Sequence, residues 1–318
     1  MTQTTAAAGT AATPKAKRRA GDIWFSGSAL FAGSMILATL AAVAIFLIIQ
    51  SVPAIGADSS TASLLTTNFW DYVWPLLFGT IWAAFLALLM AVPLSLGVAL
   101  FITHYAPRRL AQGLGYVVDL LAAVPSVVFG LWGILVLAPA VQPAYTWLNK
   151  NVGWFPLFAG DVSATGRTIF TAAIVLAVMV VPIITAICRE IFLQTPRLHE
   201  EAALALGATR WEMIRMAVLP FGRSGIVSAS MLGLGRALGE TMAVAMVLSA
   251  TGTVTFQLFT STNPSTIAAN IALTFPEAYD VNINVLIATG LILFIVTFAV
   301  NALARFIVSR RKEFSGAN

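Results

Sequence analysis

The sequence predicts an all-α integral membrane protein with six transmembrane helices. Hydrophobic residues make up 59% of the 318 positions and charged residues only 10%, whereas a typical soluble domain carries about 25% charged residues. A helix needs about 20 apolar residues to cross the hydrocarbon core. Six segments meet that requirement: 26–50, 74–103, 113–138, 168–188, 224–249 and 285–308. Transmembrane β-strands would show shorter runs of alternating hydrophobicity.

Two features of these segments need separate consideration: the prolines inside them, and the likeness of the first segment to a signal peptide. Pro93, Pro125 and Pro182 fall inside them, but membrane helices tolerate proline where neighbouring helices satisfy the freed carbonyl groups. The first segment, 26–50, follows basic residues as a signal peptide does. It is much longer than the roughly 7–15 apolar residues of a signal peptide, so we expect it to remain as the first span.

The positions of lysine and arginine set the predicted orientation. These residues lie before the first span, between the second and third, between the fourth and fifth, and after the sixth, whereas the opposite loops hold only Lys150 and Arg167. Positive charge marks the cytoplasmic side, so both termini are predicted to be cytoplasmic. The expected division is a disordered basic tail (1–20), the first span with an external loop (21–73), the membrane core (74–308) and a cytoplasmic tail (309–318).

Residues for disulfide, metal and nucleic-acid sites are scarce or scattered. Cys188 is the one cysteine, which rules out an intrachain disulfide, and His104 and His199 are too isolated in the sequence to predict a metal site. The net charge of +5 comes from residues spread over the loops on one side of the spans. We therefore predict contact with membrane lipid and no nucleic-acid partner.

The longest loop on the predicted cytoplasmic side, 190–223, has signals for two short helices. Thr195 and Pro196 predict a helix start, and Gly207 predicts its end. Thr209 and Glu212 have the spacing of a capping box, which opens a second helix. The sequence Leu219-Pro220 is then predicted to close that helix. Two interpretations fit this pattern: an amphipathic loop on the membrane surface, or a knob that inserts into a groove of a cytoplasmic partner.

A motif in this loop resembles the EAA motif of ABC importer permeases. Its matching positions are Glu201, Ala202, Ala203, Gly207, Leu219 and Pro220. One apolar slot departs from the family pattern, because Ala217 stands where the family has isoleucine. The resemblance implies that residues 198–208 form a coupling helix, which seats in a cleft of an ATPase subunit.

The nucleotide site of such an importer has to lie on another chain. The sequence has no G-x-x-x-x-G-K-[ST] loop for nucleotide phosphates, no nucleophile elbow and no H-E-x-x-H motif. We therefore predict a transporter subunit that is not an enzyme and holds no cofactor of its own. ATP and magnesium are expected on the partner ATPase.

Arg236 and Glu240 are charged residues inside the fifth apolar segment. In a continuous helix they would lie one turn apart on one face, and a charge at mid-bilayer costs roughly 2.5–3.5 kcal/mol on insertion scales. A residue that carries such a cost is expected to have a function. Because a guanidinium binds an oxyanion with two parallel hydrogen bonds, we favour a substrate pathway. A purely structural role, in which the charges join this helix to a neighbour, is the alternative. Gly235 and Gly239 would also allow close helix packing on that face.

Two segments make the resemblance more specific. Leu121–Gly133 and Gly235–Val244 look like the corresponding segments of phosphate-importer permeases of the PstC type, and the resemblance covers about 74–308. It implies the six-helix type I ABC importer (MetI-like) fold and import of inorganic phosphate across the bacterial inner membrane. The implied partners are a PstA-type permease, a dimer of ATP-binding subunits and an external phosphate-binding protein.

Several functional questions stay open at this point. Glu240 either serves as a counter-charge for Arg236, which we favour, or accepts a hydrogen bond from the proton of a bound phosphate. A permease for sulfate or molybdate would share the EAA loop. An anion transporter driven by an ion gradient is a further alternative, and it would need no ATPase at residues 198–208.

Overall fold

The computed structural model describes the backbone of residues 20–312 and the side chains of residues 24–306. The predicted disordered tail, apart from Ala20, and residues 313–318 lie outside the described residues. The chain divides into two compact units, residues 1–46 and 47–318.

The described secondary structure is almost entirely helical. The α-helices in chain order are α1 (Ala20–Ile55), α2 (Phe69–Leu100), α3 (Arg108–Ala122), α4 (Ser126–Trp132), α5 (Ala138–Val152), α6 (Ile169–Leu193), α7 (Arg197–Ala205), α8 (Arg210–Met213), α9 (Leu219–Leu238), α10 (Met242–Val247), α11 (Ile267–Thr274) and α12 (Val281–Lys312). Within residues 20–312, six helices are long and apolar enough to cross a membrane, which confirms the predicted number. They run over Trp24–Ile55, Phe69–Tyr105, Ser126–Val152, Ile169–Leu193, Arg210–Leu238 and Val281–Phe306.

The first unit contributes residues 20–46 of α1 to the described structure. Its large apolar side chains from residue 24 onwards are exposed, as Trp24, Phe25 and Phe31 show. Exposed apolar side chains along a helix of this length are typical of a membrane span.

The third predicted span, 113–138, is wrong in its bounds. The helix stops after Ala122 and resumes at Ser126, because Pro125 lacks an N–H group and its ring disfavours helical geometry at the preceding residue. The segment therefore splits into α3 and a span that continues to Val152. Helix α3 packs on α6, with Gly115 directly against the guanidinium of Arg189.

Three wide π-turns adjoin the α-helices; the last two join helices into longer rods, and the first extends α2 at its end. They lie at Phe101–Tyr105, Gly133–Leu137 and Ile214–Val218. Pro139 and Pro220 are the second residues of α5 and α9, and one residue separates each of them from the π-turn before it. Because a proline would otherwise collide with the carbonyl four residues earlier, the widened turn lets the helix continue through it.

Helix α6 is the centre of the second unit. Two-thirds of its most apolar window is buried (67%), and it packs against α2, α3, α9 and α10. Polar groups also join it to α2: the Ser95 hydroxyl donates to the Val181 carbonyl (3.2 Å), and the Thr185 hydroxyl donates to the Ser95 carbonyl (3.5 Å).

The helices of the second unit meet loops at two ends. At what we call the α7 end, α2 and α6 finish beside α3, α7 and α8, and His104 contacts Glu200 there. At the loop end, residues 56–68, 153–168 and 248–266 surround the starts of α2 and α6. The side chain of Asn263 is buried in these loops, where its Oδ1 accepts the N–H of Ile169 (3.2 Å). Helix α12 begins at the loop end and runs towards the α7 end.

Candidate functional site

The predicted charged pair does not lie on one continuous helix. Helix α9 ends at Leu238, with the Gly239 N–H donating to the Gly235 carbonyl (3.2 Å), and α10 starts at Met242. Arg236 therefore lies in the last turn of α9, whereas Glu240 lies in the break between two helices. The interpretation of the two residues as neighbours one helical turn apart is wrong.

Glu240 caps the short helix α10. Its side chain is buried (8% exposed), and its Oε1 accepts the N–H of Ala243 (3.1 Å). The first N–H groups of a helix have no partner inside the helix, and a carboxylate at that end satisfies one of them. No ion pair joins Glu240 to Arg236 in the described part of the chain. The favoured counter-charge arrangement is therefore not the one in this structure.

Arg236 lines an open cavity of about 830 Å³ between α6, α9 and α12. Apolar side chains, including Ile183, Met231 and Leu232, supply much of its wall. The Nε atom of Arg236 is buried and has no hydrogen-bond partner within residues 20–312. A buried donor without a partner is costly, and no ion pair within the described residues holds this guanidinium in place.

Gly235 opens onto this cavity and does not pack against another helix. A Cβ atom at Gly235 would meet nothing within 4 Å, so the predicted close helix packing at this glycine is wrong for the described residues. The tight contact lies at Gly233, where a Cβ atom would stand 2.7 Å from Val180 and 2.8 Å from Ile184. Gly233 faces α6, whereas Gly235 is turned towards the cavity.

The two segments that carried the specific resemblance pack against each other. A Cβ atom at Gly130 of α4 would lie 3.0 Å from the Cα of Ala243, and one at Gly133 would lie 2.7 Å from Val247 of α10. Because glycine has no side chain, α10 can pack closely on α4 at these positions. The sequence did not reveal this contact, because more than a hundred residues separate the two segments.

Helix α7 carries the EAA motif on an exposed surface. Glu201 and Ala202 are exposed, and Ala203 is half-buried. Leu198 and Leu206 are 76% and 89% exposed. Such exposure of large apolar side chains marks a surface suited to a partner protein.

The predicted helix end at Gly207 is confirmed. Its φ is +85°, and the N–H groups of Gly207 and Ala208 donate to the carbonyls of Leu204 (3.0 Å) and Ala203 (3.2 Å). This is the Schellman arrangement, which a glycine adopts at least cost. The predicted start is wrong, because α7 begins at Arg197 and the buried Thr195 hydroxyl makes no capping bond.

The second helix of this loop starts as predicted and ends elsewhere. Thr209 and Glu212 form the full capping box. Leu219 and Pro220 do not close the helix, because the π-turn before them carries α8 into α9. Helix α8, the π-turn and α9 are therefore one rod, Arg210–Leu238.

The family model for binding-protein-dependent transport system inner membrane components matches residues 91–313. The chain belongs to this family. It is 49% identical to the phosphate transport system permease protein PstC 2 of Mycobacterium tuberculosis, over 91% of this chain and 92% of that one. It is 38% identical to the phosphate transport system permease protein PstC of Mesorhizobium japonicum, over 93% and 92%. These relatives confirm the resemblance to PstC-type permeases.

A solved structure shows the same fold at lower identity. It is the bacterial alginate ABC transporter in complex with an alginate pentasaccharide-bound periplasmic protein, and it matches with a TM-score of 0.60 and 16% identity. The match covers 91% of this chain and 95% of that chain. The fold is therefore that of an ABC importer permease, as predicted.

Two contacts of this permease had no signal in the sequence. His104, at the end of the second span, lies 3.5 Å from Glu200 of α7. At the loop end, Arg167 donates from Nη2 to the carbonyl of Leu248 (3.3 Å), the residue that follows α10. Both contacts join residues that are far apart in the chain, so spacing could not predict them.

Proposed function

We propose that this chain is a permease subunit of an ATP-driven importer that moves inorganic phosphate from outside the cell into the cytoplasm. It would lie in the bacterial inner membrane as a multi-pass protein with both termini cytoplasmic. The names of relatives at 37–49% identity support the substrate. The one-sided distribution of arginine and lysine supports the orientation.

The proposed assembly follows from surfaces that this chain leaves open. The exposed Leu198 and Leu206 give α7 an apolar face, which would insert into a groove of the ATPase subunit. ATP and Mg²⁺ would bind to that ATPase dimer, and this chain would hold no cofactor. A PstA-type permease would complete the pore, and an external phosphate-binding protein would deliver the anion to the loop end.

Arg236 in the open cavity is the observation that carries the proposal. It is a permanent positive charge inside a membrane-spanning helix, and no acidic residue within the described chain pairs with it. A guanidinium matches the edge of a phosphate geometrically and donates two parallel hydrogen bonds to it. Charge at this depth is costly, and a transported anion would compensate for it each time it passes.

Uptake of radiolabelled phosphate tests the proposal, in cells without other phosphate importers and with excess sulfate as competitor. Arg236→Ala should lower uptake about ten- to a hundredfold, which corresponds to the roughly 1.5–3 kcal/mol of a charged hydrogen bond. Arg223→Ala is the matched control. Arg223 is exposed on the same helix and is not part of the cavity wall, so this variant should transport normally at equal membrane levels.

Each outcome separates the alternatives. ATP-dependent, sulfate-resistant uptake that is lost in Arg236→Ala supports a phosphate permease. Sulfate-sensitive uptake changes the substrate to a related oxyanion, whereas uptake driven by an ion gradient overturns the transporter class. Normal uptake by Arg236→Ala overturns the role of the cavity. Arg236→Lys should also lose uptake, because lysine keeps the charge and loses the two-point geometry.

A further inference from the structure

Three polar side chains besides Arg236 line the same cavity. They are Ser228 of α9 and Asn301 and Arg305 of α12. The described lining thus contains two guanidinium groups, one amide and one hydroxyl, and no carboxylate. Four hydrogen-bonding groups with a net charge of two positive units suit an anion and oppose a cation.

The polar groups extend from Arg236 towards the α7 end. Ser228 precedes Arg236 by eight residues on α9, which corresponds to about 12 Å along the helix axis at 1.5 Å per residue. Asn301 and Arg305 are four residues apart on α12 and share one face. Because α12 runs from the loop end to the α7 end, Arg305 lies on the side of the cavity nearer α7.

These groups keep free hydrogen-bonding capacity. Within the described residues, neither Asn301 nor Arg305 has an ion pair or a side-chain hydrogen bond. The Ser228 hydroxyl donates to the Ser224 carbonyl (3.0 Å), which leaves its oxygen able to accept a hydrogen bond from the O–H group of a protonated oxyanion. The cavity volume of about 830 Å³ is within the roughly 300–1,000 Å³ of ligand sites.

We propose that Arg305 and Asn301, with Ser228 at the edge, form a second binding subsite for a tetrahedral oxyanion. The anion reaches this subsite from Arg236 and leaves it towards the α7 end. The inference rests on the proposed anion pathway through Arg236. Two moderate sites in series favour transport over one strong site, because an ion must bind well enough to enter and weakly enough to leave.

Phosphate uptake by Arg305→Gln gives the first test, with Arg223→Gln as the matched control. Arg305→Gln should lower uptake about ten- to a hundredfold, the effect expected for removing one charged hydrogen bond, while Arg223→Gln stays normal. Asn301→Ala should lower uptake less, because it removes a neutral group. If Arg236→Ala abolishes uptake and Arg305→Gln leaves it intact, the second subsite is refuted and the proposed function stands. Normal uptake by both variants overturns the second subsite and the role of Arg236 in the anion pathway.

Cysteine labelling gives a readout that does not depend on transport. Ser228→Cys is made together with Cys188→Ala, which removes the buried native thiol. A negatively charged methanethiosulfonate reagent should then react faster than a positively charged one of similar size. Inorganic phosphate should slow the reaction, and Arg305→Gln should reduce the preference for the negative reagent, because only the charge of Arg236 then remains in the cavity wall.

Three results of the labelling experiment would overturn the subsite. Equal rates for the two reagents would show that the cavity does not select anions. Unchanged labelling in excess phosphate would show that phosphate does not occupy it. Absence of labelling by either reagent, with the variant correctly assembled, would show that lipid or a partner chain fills the cavity.

Discussion

His104 Nε2 lies 3.5 Å from Glu200 Oε1, so the end of a membrane-spanning helix contacts the helix that carries the EAA motif. The imidazole is almost buried (7% of its side chain exposed), and its Nδ1 lies 2.6 Å from the Thr103 hydroxyl oxygen. The Thr103 hydroxyl also donates to the Ala99 carbonyl (2.9 Å).

We expect His104→Ala to weaken the link between ATP hydrolysis and transport. Movement of α7 would reach α2 through this contact, so phosphate uptake per ATP hydrolysed should fall while the assembled complex keeps its ATPase activity. The measurement compares both rates in membrane vesicles that contain the full transporter. Tyr105→Ala is the control, because Tyr105 is the exposed neighbour of His104 in the same π-turn.

The double variant His104→Ala, Glu200→Ala tests the pairing itself. If the two residues act through one contact, the double variant should be no worse than either single one. Additive losses would contradict a shared contact. If His104→Ala keeps the full phosphate uptake per ATP hydrolysed, α7 acts on the spans by another route.

Gly207→Val should weaken attachment of the ATPase. A left-handed conformation costs a side-chain-bearing residue about 1–2 kcal/mol, and this cost would distort the end of α7. Gly252→Val is the matched control, because Gly252 also has positive φ (+75°) and open space around it but lies at the loop end. Co-purification of the ATPase and phosphate uptake should both drop for Gly207→Val alone. Equal behaviour of the two variants would refute the role of the α7 end.

Glu240→Ala should destabilise the permease by about 1 kcal/mol, the usual cost of removing a helix cap. Glu240→Gln should stay close to the unsubstituted protein, because an amide oxygen can still accept the Ala243 N–H. Thermal unfolding of the detergent-purified complex measures the difference. If Glu240→Gln is as unstable as Glu240→Ala, the negative charge matters more than the capping bond.

Gly130→Ala should disturb the packing of α4 on α10. The added Cβ would lie 3.0 Å from a backbone atom, Ala243 Cα, which cannot move aside as a flexible side chain can. Overpacking of this kind typically costs 1–3 kcal/mol, visible as a lower unfolding temperature. Gly97→Ala in α2 is the control, since its Cβ would meet nothing within 4 Å. Equal stability of the two variants would argue against a tight α4–α10 contact.

The sequence by itself determined the features that depend on composition and short spacing. Six apolar segments of sufficient length predicted six spans, and the Thr209–Glu212 spacing predicted a capping box that the structure contains. Gly207 predicted a helix end, because few other residues adopt positive φ. The resemblance to PstC-type permeases rested on contiguous motifs, which the relatives confirm.

Only the tertiary structure decided where helices break and which distant groups meet. Pro125 breaks a helix, whereas Pro220 does not, because a π-turn precedes Pro220 and removes the clash. Arg236 and Glu240 looked like neighbours by spacing, yet capping of α10 draws Glu240 out of the helix. The packing of separate helices brings His104 into contact with Glu200. It also places Arg236 and Arg305 in the wall of one cavity. No local pattern encodes such packing, because it depends on the shapes of all the side chains between them.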